Sequence, residues 1–534
     1  MKLQAPSLKQ KSRIFSFIRK LRPYENLHGS ASFASLNDVH EMGLLGSSGV
    51  YVGGVRDGDN LQYLRHNGPE HILAFAPTRS GKGVGLVIPT LLSWPESVVC
   101  LDIKGENWAL TAGWRRQHAK NRVLRFAPGE PEGSVKFNPL AEIRLGTARE
   151  VSDVQNIATM LVDPDGKGLN DHWAKTGYSL IVGVTLHCLY VAKTQGRVAA
   201  IQDIGNCLAN PDMTMADTFN AMLATKHKDG AVHPVVASCA REMLNKADNE
   251  LSGVVSTAMS FLSLYRDPIV ASNTAVSEFK IADLMNFDAP VSLYIVTPPS
   301  DKDRLKPLVR LLINQIVRSL TQHMDFKNGA SVKHYKHRLL LMLDEFPSLG
   351  KLDIFQESLA FIAGYGIKAF LIAQDLSQLY AAYGKDESII SNCHIRIAYA
   401  PNKQETADLV SRMLGTTTVT KLSVSMSKKA GLLQSPHYTE SWQEVQRPLL
   451  TPDECARLKG PKKDSEDKIV SAGDMLVLMA GFDPIYGEQI LFFQDATFKE
   501  RAKCPAPPTD RCDDETDEAQ TAAIIAEYFH SPPP

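Results

Sequence analysis

Leu73-Ala-Phe-Ala-Pro-Thr-Arg-Ser-Gly-Lys-Gly-Val84 decides how the rest of the chain is read. A short apolar run, Ile72 to Phe75, ends in a turn rich in Pro, Gly and Ser, and an apolar helix-like stretch begins at Val84. Strand, loop and helix in that order are the setting of a phosphate-binding loop. Loop amides and a helix N-terminus wrap an anion, and Lys82 can reach the β- and γ-phosphates of ATP. Pro77, Thr78, Arg79, Ser80, Gly81, Lys82, Gly83 and Val84 are therefore the candidate ATP-binding residues. Two positions depart from the GxxxxGK[ST] pattern. Ala76 stands where the first glycine would be, and Gly83 replaces the hydroxyl residue that ordinarily ligates Mg2+. Taken alone, S-G-K-G fits a chance loop as well as a nucleotide site.

Arg338-Leu-Leu-Leu-Met-Leu-Asp-Glu-Phe346 supplies the second half of the reading. Five apolar residues followed by two acids suit a buried parallel strand that presents carboxylates at its C-terminal end, where open α/β sheets bind ligands. Asp344 would hold the Mg2+ ion through its water shell, and Glu345 would polarise the attacking water. A core strand ending in solvated charges is the plainer alternative; the loop upstream favours the Walker B reading. Gln374 directly follows the strand expected at 368–373 and is placed to sense the γ-phosphate or orient water, or else simply binds a loop. Lys82, Asp344, Glu345 and Gln374 are thus the catalytic candidates. A cation inserted from a neighbouring subunit would come from Lys368 or Arg396, with Arg412 a further possibility; each also reads as an ordinary interface charge. Asp102-Ile-Lys-Gly-Glu106 ends another strand at the same edge, as a surface turn or as part of the site.

The 534 residues carry a formal net charge of −1, so no global polycation marks a nucleic-acid binder and any DNA contact must be local. Eight scattered cysteines, with no CxxC pair and no zinc spacing, point to a reducing compartment without a structural metal. The apolar stretch Tyr178 to Ala192 carries His187 between Lys175 and Lys193, and reads as a buried helix rather than a membrane span. Seven cations precede the first acid, Glu25, in a segment (1–22) that is either a solvated tail or a helix lying on anionic membrane.

Strand and helix signals alternate over 49–144 and again over 277–500, whereas 145–276 reads as helices at 149–162, 172–193, 213–224, 234–245 and 251–265. The expected fold is α/β: a RecA-like P-loop ATPase core with a parallel-rich twisted sheet, interrupted by an inserted all-α domain. A basic entry region (1–48) and a Pro-rich acidic tail (501–534) flank it.

Ala76–Gly85, Asp102–Glu106, Leu343-Asp-Glu-Phe-Pro-Ser-Leu-Gly350, Ala363-Gly-Tyr-Gly-Ile-Lys368, Ser391-Asn-Cys-His394 and Arg447-Pro-Leu-Leu-Thr-Pro452, in this order, resemble the TraG-type coupling proteins of conjugation and type IV secretion. Leu27-His-Gly-Ser-Ala31 and Leu264-Tyr-Arg-Asp-Pro268 fit the same family. The resemblance implies a hexameric ATPase in the bacterial cytoplasm, at the cytoplasmic face of the inner membrane. Its partners would be the relaxase and relaxosome, single-stranded DNA and type IV secretion inner-membrane components, with ATP and Mg2+ as cofactors. The TraG branch shares the GKG ending, so Gly83 does not mark a dead site. Family members usually begin with transmembrane helices and none precedes residue 27, so a soluble form is expected here, a truncation or a natural short form. The finger of some members falls near Tyr365 to Lys368, where Lys368 is the cation present. A nucleotide-ordered recruitment platform for the relaxosome, without translocation, is the alternative; a water-activating glutamate speaks against it.

Overall fold

Two interleaved sets of apolar side chains shape the centre of the molecule. In the strand Leu339–Leu343, residues 339, 341 and 343 enter one apolar layer while 340 and 342 enter another. The same alternation holds in His71–Phe75, where Leu73 and Phe75 face the first layer and Ile72 and Ala74 the second. Both faces are therefore covered, as continuous apolar runs require. The computed structural model describes residues 26–322, 324, 326–327, 330–427 and 437–513. The basic segment 1–22 and the tail from 514 onward lie outside them.

The principal strands are β1 (Val50–Asp57), β2 (Asn60–His66), β3 (His71–Phe75), β4 (Ser97–Asp102), β5 (Arg122–Phe126), β6 (Val291–Val296), β7 (Leu339–Leu343), β8 (Ile367–Ala373) and β9 (Cys393–Ala398). Then come β10 (Thr416–Ser427), β11 (His437–Pro448), β12 (Asp474–Met479) and β13 (Ile485–Glu488). Eleven of them form one sheet in the order β2-β1-β13-β12-β9-β3-β8-β7-β4-β6-β5. From β9 to β5 every pairing is parallel; from β2 to β9 every pairing is antiparallel. The α/β fold with a parallel-rich sheet stands as expected, with the hairpin at Asp57–Asn60 at one end. The polar stretch after 416 is a long two-stranded ribbon, β10–β11, in full register from Thr416↔Pro448 to Ser427↔His437. β12 and β13 went unread in the sequence.

Between β5 and β6 the chain is helical: Glu150–Val162, His172–Thr194, Ile201–Leu208, Met215–Ala224, Pro234–Leu244 and Asp248–Phe261. Asp171 caps the longest helix by accepting from the Ala174 amide, and Thr214 with Asp217 forms a capping box on another. Leu180 to Ala192 is buried almost all round, which accounts for its apolar length. Among the described residues no helix is long and apolar enough to cross a membrane. The insert is not a separate ball. Val154, Leu180 and Phe219 belong to the same apolar cluster as Leu73, Leu101 and Leu343 of the sheet. After β7 come a helix over Asp353–Ser358 and a 3-10 turn at Ile362–Tyr365.

The tail expected from 501 also begins later. Asp510 Oδ2 and Thr509 Oγ1 accept the amides of Val123 and Arg125 at 3.0 and 2.9 Å. β5 is the edge of the sheet, and these side chains satisfy the outward N–H groups that an open edge leaves bare.

Candidate nucleotide site

The site is built by register. Phe75 pairs with Ala373, and Leu371 and Leu101 both pair with Leu343, so β3, β8, β7 and β4 end along one edge. β8 lies between the strand that feeds the loop 77–84 and the strand that ends in Asp344 and Glu345. Gln374, at the tip of β8, consequently stands between them. Chain order does not reveal this insertion of one strand between two motifs.

The loop leaves β3 at Ala76, turns through Ser80 N to Pro77 O (3.2 Å), and passes left-handed conformations at Arg79 (φ 60) and Gly81 (φ 95). A wide helical turn at Gly83–Val87 follows. A Cβ at Gly81 would lie 3.1 Å from Gln489 Oε1, so bare backbone suits the close approach of the chain's C-terminal part. Lys82 Nζ donates to Asp344 Oδ1 at 2.6 Å and lies 3.6 Å from Glu345 Oε1. Gln374 Nε2 donates to the same Glu345 Oε1 at 3.2 Å, and its own Oε1 accepts from the Thr78 hydroxyl at 2.9 Å. Thr78, Lys82, Asp344, Glu345 and Gln374 thus converge. Glu345 has φ 55, a left-handed conformation that costs a β-carbon residue on the order of 1 kcal/mol and clusters at functional sites.

Burial alone would raise the Glu345 carboxyl; the nearby Lys82 and then Lys302 outweigh it, and the group is held below its ordinary range. It is therefore an anion at neutral pH. Lys302, whose Nζ donates to Glu345 Oε2 at 3.2 Å, is the residue that sequence reasoning missed. The available signal was position: it follows β6, another strand ending at this edge.

Other candidates fall elsewhere. Arg79 turns its guanidinium outward, 76% exposed, to Asp467 at 3.2 Å. Ser80 keeps a buried hydroxyl with no hydrogen-bond partner among the described residues. Asp102 is buried and accepts the Trp108 amide at 2.8 Å, which makes it an anchor for the helix Glu106–Gln117. Lys368 is only 3% exposed, and its Nζ lies 2.6 Å from His66 Nδ1 and 2.8 Å from the Gly68 carbonyl. It sits six residues back along β8 from Gln374, roughly 20 Å at ~3.3 Å per residue. An ammonium so enclosed offers no charge to a neighbouring subunit, and Lys368 is dropped as a finger. Arg396 Nε donates to the Ile390 and Cys393 carbonyls of its own chain, both at 3.1 Å. Arg412 is exposed on the helix Gln404–Leu414.

The oxygens of Asp344, Glu345 and Thr78 are hard donors with no thiolate or imidazole among them, a set that suits Mg2+. Among the described residues no cluster of three His, Cys, Asp or Glu could hold a metal unaided, so such an ion would need phosphate oxygens and water as well.

Comparison with known proteins shows the family and the fold. A family model described as "Type IV secretory system Conjugative DNA transfer" matches residues 20–513. The conjugal transfer protein TraG of Escherichia coli is 55% identical over 501 residues, covering 90% of this chain and 79% of the relative. Two structures of the plasmid coupling protein TrwB share the fold. One, solved with the non-hydrolysable ATP analogue ADPNP, has a TM-score of 0.59 at 17% identity and covers 86% of this chain and 93% of that one. The other, with ADP and Mg2+, has a TM-score of 0.55 at 18% identity and covers 79% and 85%.

Proposed function

The chain belongs to the type IV secretory system conjugative DNA transfer family, and from that premise we propose that it is an ATP-driven coupling protein that delivers relaxase-bound single-stranded DNA, or protein substrates, to a type IV secretion channel. One observation carries the reading. At the aligned ends of three parallel strands, a loop lysine lies 2.6 Å from Asp344, and Glu345 beside it is oriented by Gln374. That constellation has no use in a passive scaffold.

The amides of residues 78–84 and the Lys82 ammonium would cradle the phosphates of ATP, with Arg79 contributing its amide and not its outward side chain. Lys82 would exchange Asp344 for phosphate oxygens. Asp344, so released, would hold Mg2+ through water, and the ion when bound neutralises phosphate charge. Glu345, kept ionised, would accept a hydrogen bond from the attacking water, and Gln374 would fix the carboxylate's orientation. TrwB, whose fold this chain shares, was solved with ADPNP and with ADP and Mg2+, and that supports nucleotide and Mg2+ binding here. Assembly as a hexamer at the cytoplasmic face of the inner membrane, with relaxosome proteins met by the inserted helices, completes the proposal.

Glu345→Gln in the full chain tests it. ATP binding should stay within about threefold of the parent while hydrolysis falls on the order of 100-fold. Parental hydrolysis should rise cooperatively with protein concentration and with single-stranded DNA. Hydrolysis by Glu345→Gln at the parental rate would overturn the assignment of Glu345.

A further inference from the structure

The helix Lys302–Leu320 starts beside the nucleotide site and runs under the inserted domain. Lys302, Lys306 and Arg310 are spaced four apart and so share one face of it. Each reads a different part of the molecule. Lys302 Nζ meets Glu345 Oε2 at 3.2 Å. Lys306 Nζ meets Asp165 Oδ1 at 3.3 Å, in the loop that follows the first helix of the insert. Arg310, buried, donates to the Leu349 and Lys351 carbonyls at 2.5 and 2.8 Å, in the loop that follows Glu345.

The two loops on this stripe interlock through glycines. Gly166 has φ +72, and a Cβ there would lie 2.2 Å from the Lys351 carbonyl oxygen. Gly350 has φ +73, and its Cβ would lie 3.3 Å from the Asp165 carbonyl oxygen. A side chain at 166 would force the loops apart, because the atom it meets is backbone. The insert is thus seated on the segment that carries the water-orienting carboxylate.

At that carboxylate the partners divide. Oε1 faces Gln374 at 3.2 Å and Lys82 at 3.6 Å, whereas Oε2 faces Lys302. Once Lys82 turns to a phosphate, Lys302 is the cation left to fix the plane of the Glu345 carboxylate. We propose that Lys302 is a positioning residue for Glu345, and that its helix carries the seating of the inserted domain, through the 163–168 and 346–351 loops, to the hydrolytic step. This rests on the ATPase reading above. It makes hydrolysis sensitive to what the insert holds, without any insert residue touching nucleotide.

The test uses the full chain, with fluorescent ATP-analogue binding and steady-state hydrolysis measured side by side. Lys302→Met should lower kcat about tenfold while KM and nucleotide Kd stay within twofold. Lys302→Arg should restore most of the parental kcat. Gly166→Ala, whose methyl would lie 2.2 Å from the Lys351 carbonyl oxygen and 2.9 Å from Arg310 Nη2, opens the loop joint at a distance from Lys302 and Glu345 and should lower kcat about threefold at unchanged Kd. Combining it with Lys302→Met should lower kcat no further than Lys302→Met alone. A Lys302→Met protein with parental kcat, or a Lys302→Arg protein as impaired as Lys302→Met, overturns the positioning role. Multiplicative losses in the double variant overturn the coupling. A parental chain that binds no ATP overturns the ATPase reading and this one with it, whereas an active parent with indifferent variants defeats this one alone.

Discussion

Two lysines flank the parallel sheet, one at each end of its strands, and their surroundings have opposite consequences. Lys82 lies among two carboxylates at an edge open enough to leave it 13% exposed and its partners 23% and 27% exposed. Lys368 is walled in by the His66 imidazole and the Gly68 carbonyl, with Glu70 acting on it only at longer range. Burial foremost pushes its amine down to about 7, and the same burial pushes His66 down to about 3. A lysine facing exchangeable anions is equipped to trade them for a phosphate. One stripped of water against neutral acceptors is equipped to hold a turn, here the 66–70 connection into β3.

The largest effect that this contrast predicts is at Lys82. Lys82→Ala should weaken ATP binding by about 100-fold or more and abolish transfer, since several charge-assisted bonds to phosphate vanish at once. Calorimetry or fluorescent-nucleotide titration measures it, and binding within a few-fold of the parent would erase the distinction between the two lysines.

At Lys368 the readout is stability against pH. Between pH 7 and 9 the folded amine is losing its proton while the unfolded chain's lysine, near 10.5, keeps one. Unfolding therefore takes up a proton in that window, and the native state gains stability as pH rises; below about pH 7 the cost of a buried charge stands in full. Relative to Lys368→Met, the parental chain should gain about 2 kcal/mol from pH 7 to pH 9 by urea unfolding. A flat difference would mean that the amine stays charged, sustained by the His66–Glu70 contact at 3.2 Å.

The two ends were not equally legible in the sequence. The loop at 77–84 and the strand ending in Asp344-Glu345 announce themselves, because phosphate binding and double-sided burial both impose local patterns. What joins them does not. That β8 slides between β3 and β7, bringing Gln374 to Glu345, is a fact of strand order, and the sequence of β8 would read the same at any interior position. Lys302 looks like any charge at the start of a helix until β6 is known to end at the same edge. Lys368 misled for the converse reason: a lone cation in an apolar strand carries no sign of whether it reaches a surface, and its imidazole partner is 302 residues away. Residues 504–513 look like a tail by composition, yet Thr509 and Asp510 complete the edge of the sheet.

A finer version of the contrast lies inside the phosphate loop itself, three residues from Lys82. Arg79 has the longer reach and a permanent charge, and a phosphate anion nearby would attract it. Its backbone, however, is left-handed (φ 60), and its guanidinium is 76% exposed and paired with an Asp467 that is 55% exposed. An ion pair this open is worth about 0–1 kcal/mol and is screened by salt. Turning inward would require leaving that pair. Arg79→Ala should therefore change nucleotide Kd by no more than about twofold at 0.15 M salt, where the Debye length is about 8 Å, while Lys82→Ala removes binding. If Arg79→Ala instead weakens ATP binding tenfold, the loop must rearrange on binding to bring the guanidinium to phosphate, and the division between a binding cation and a surface cation would have to be redrawn within four residues of sequence.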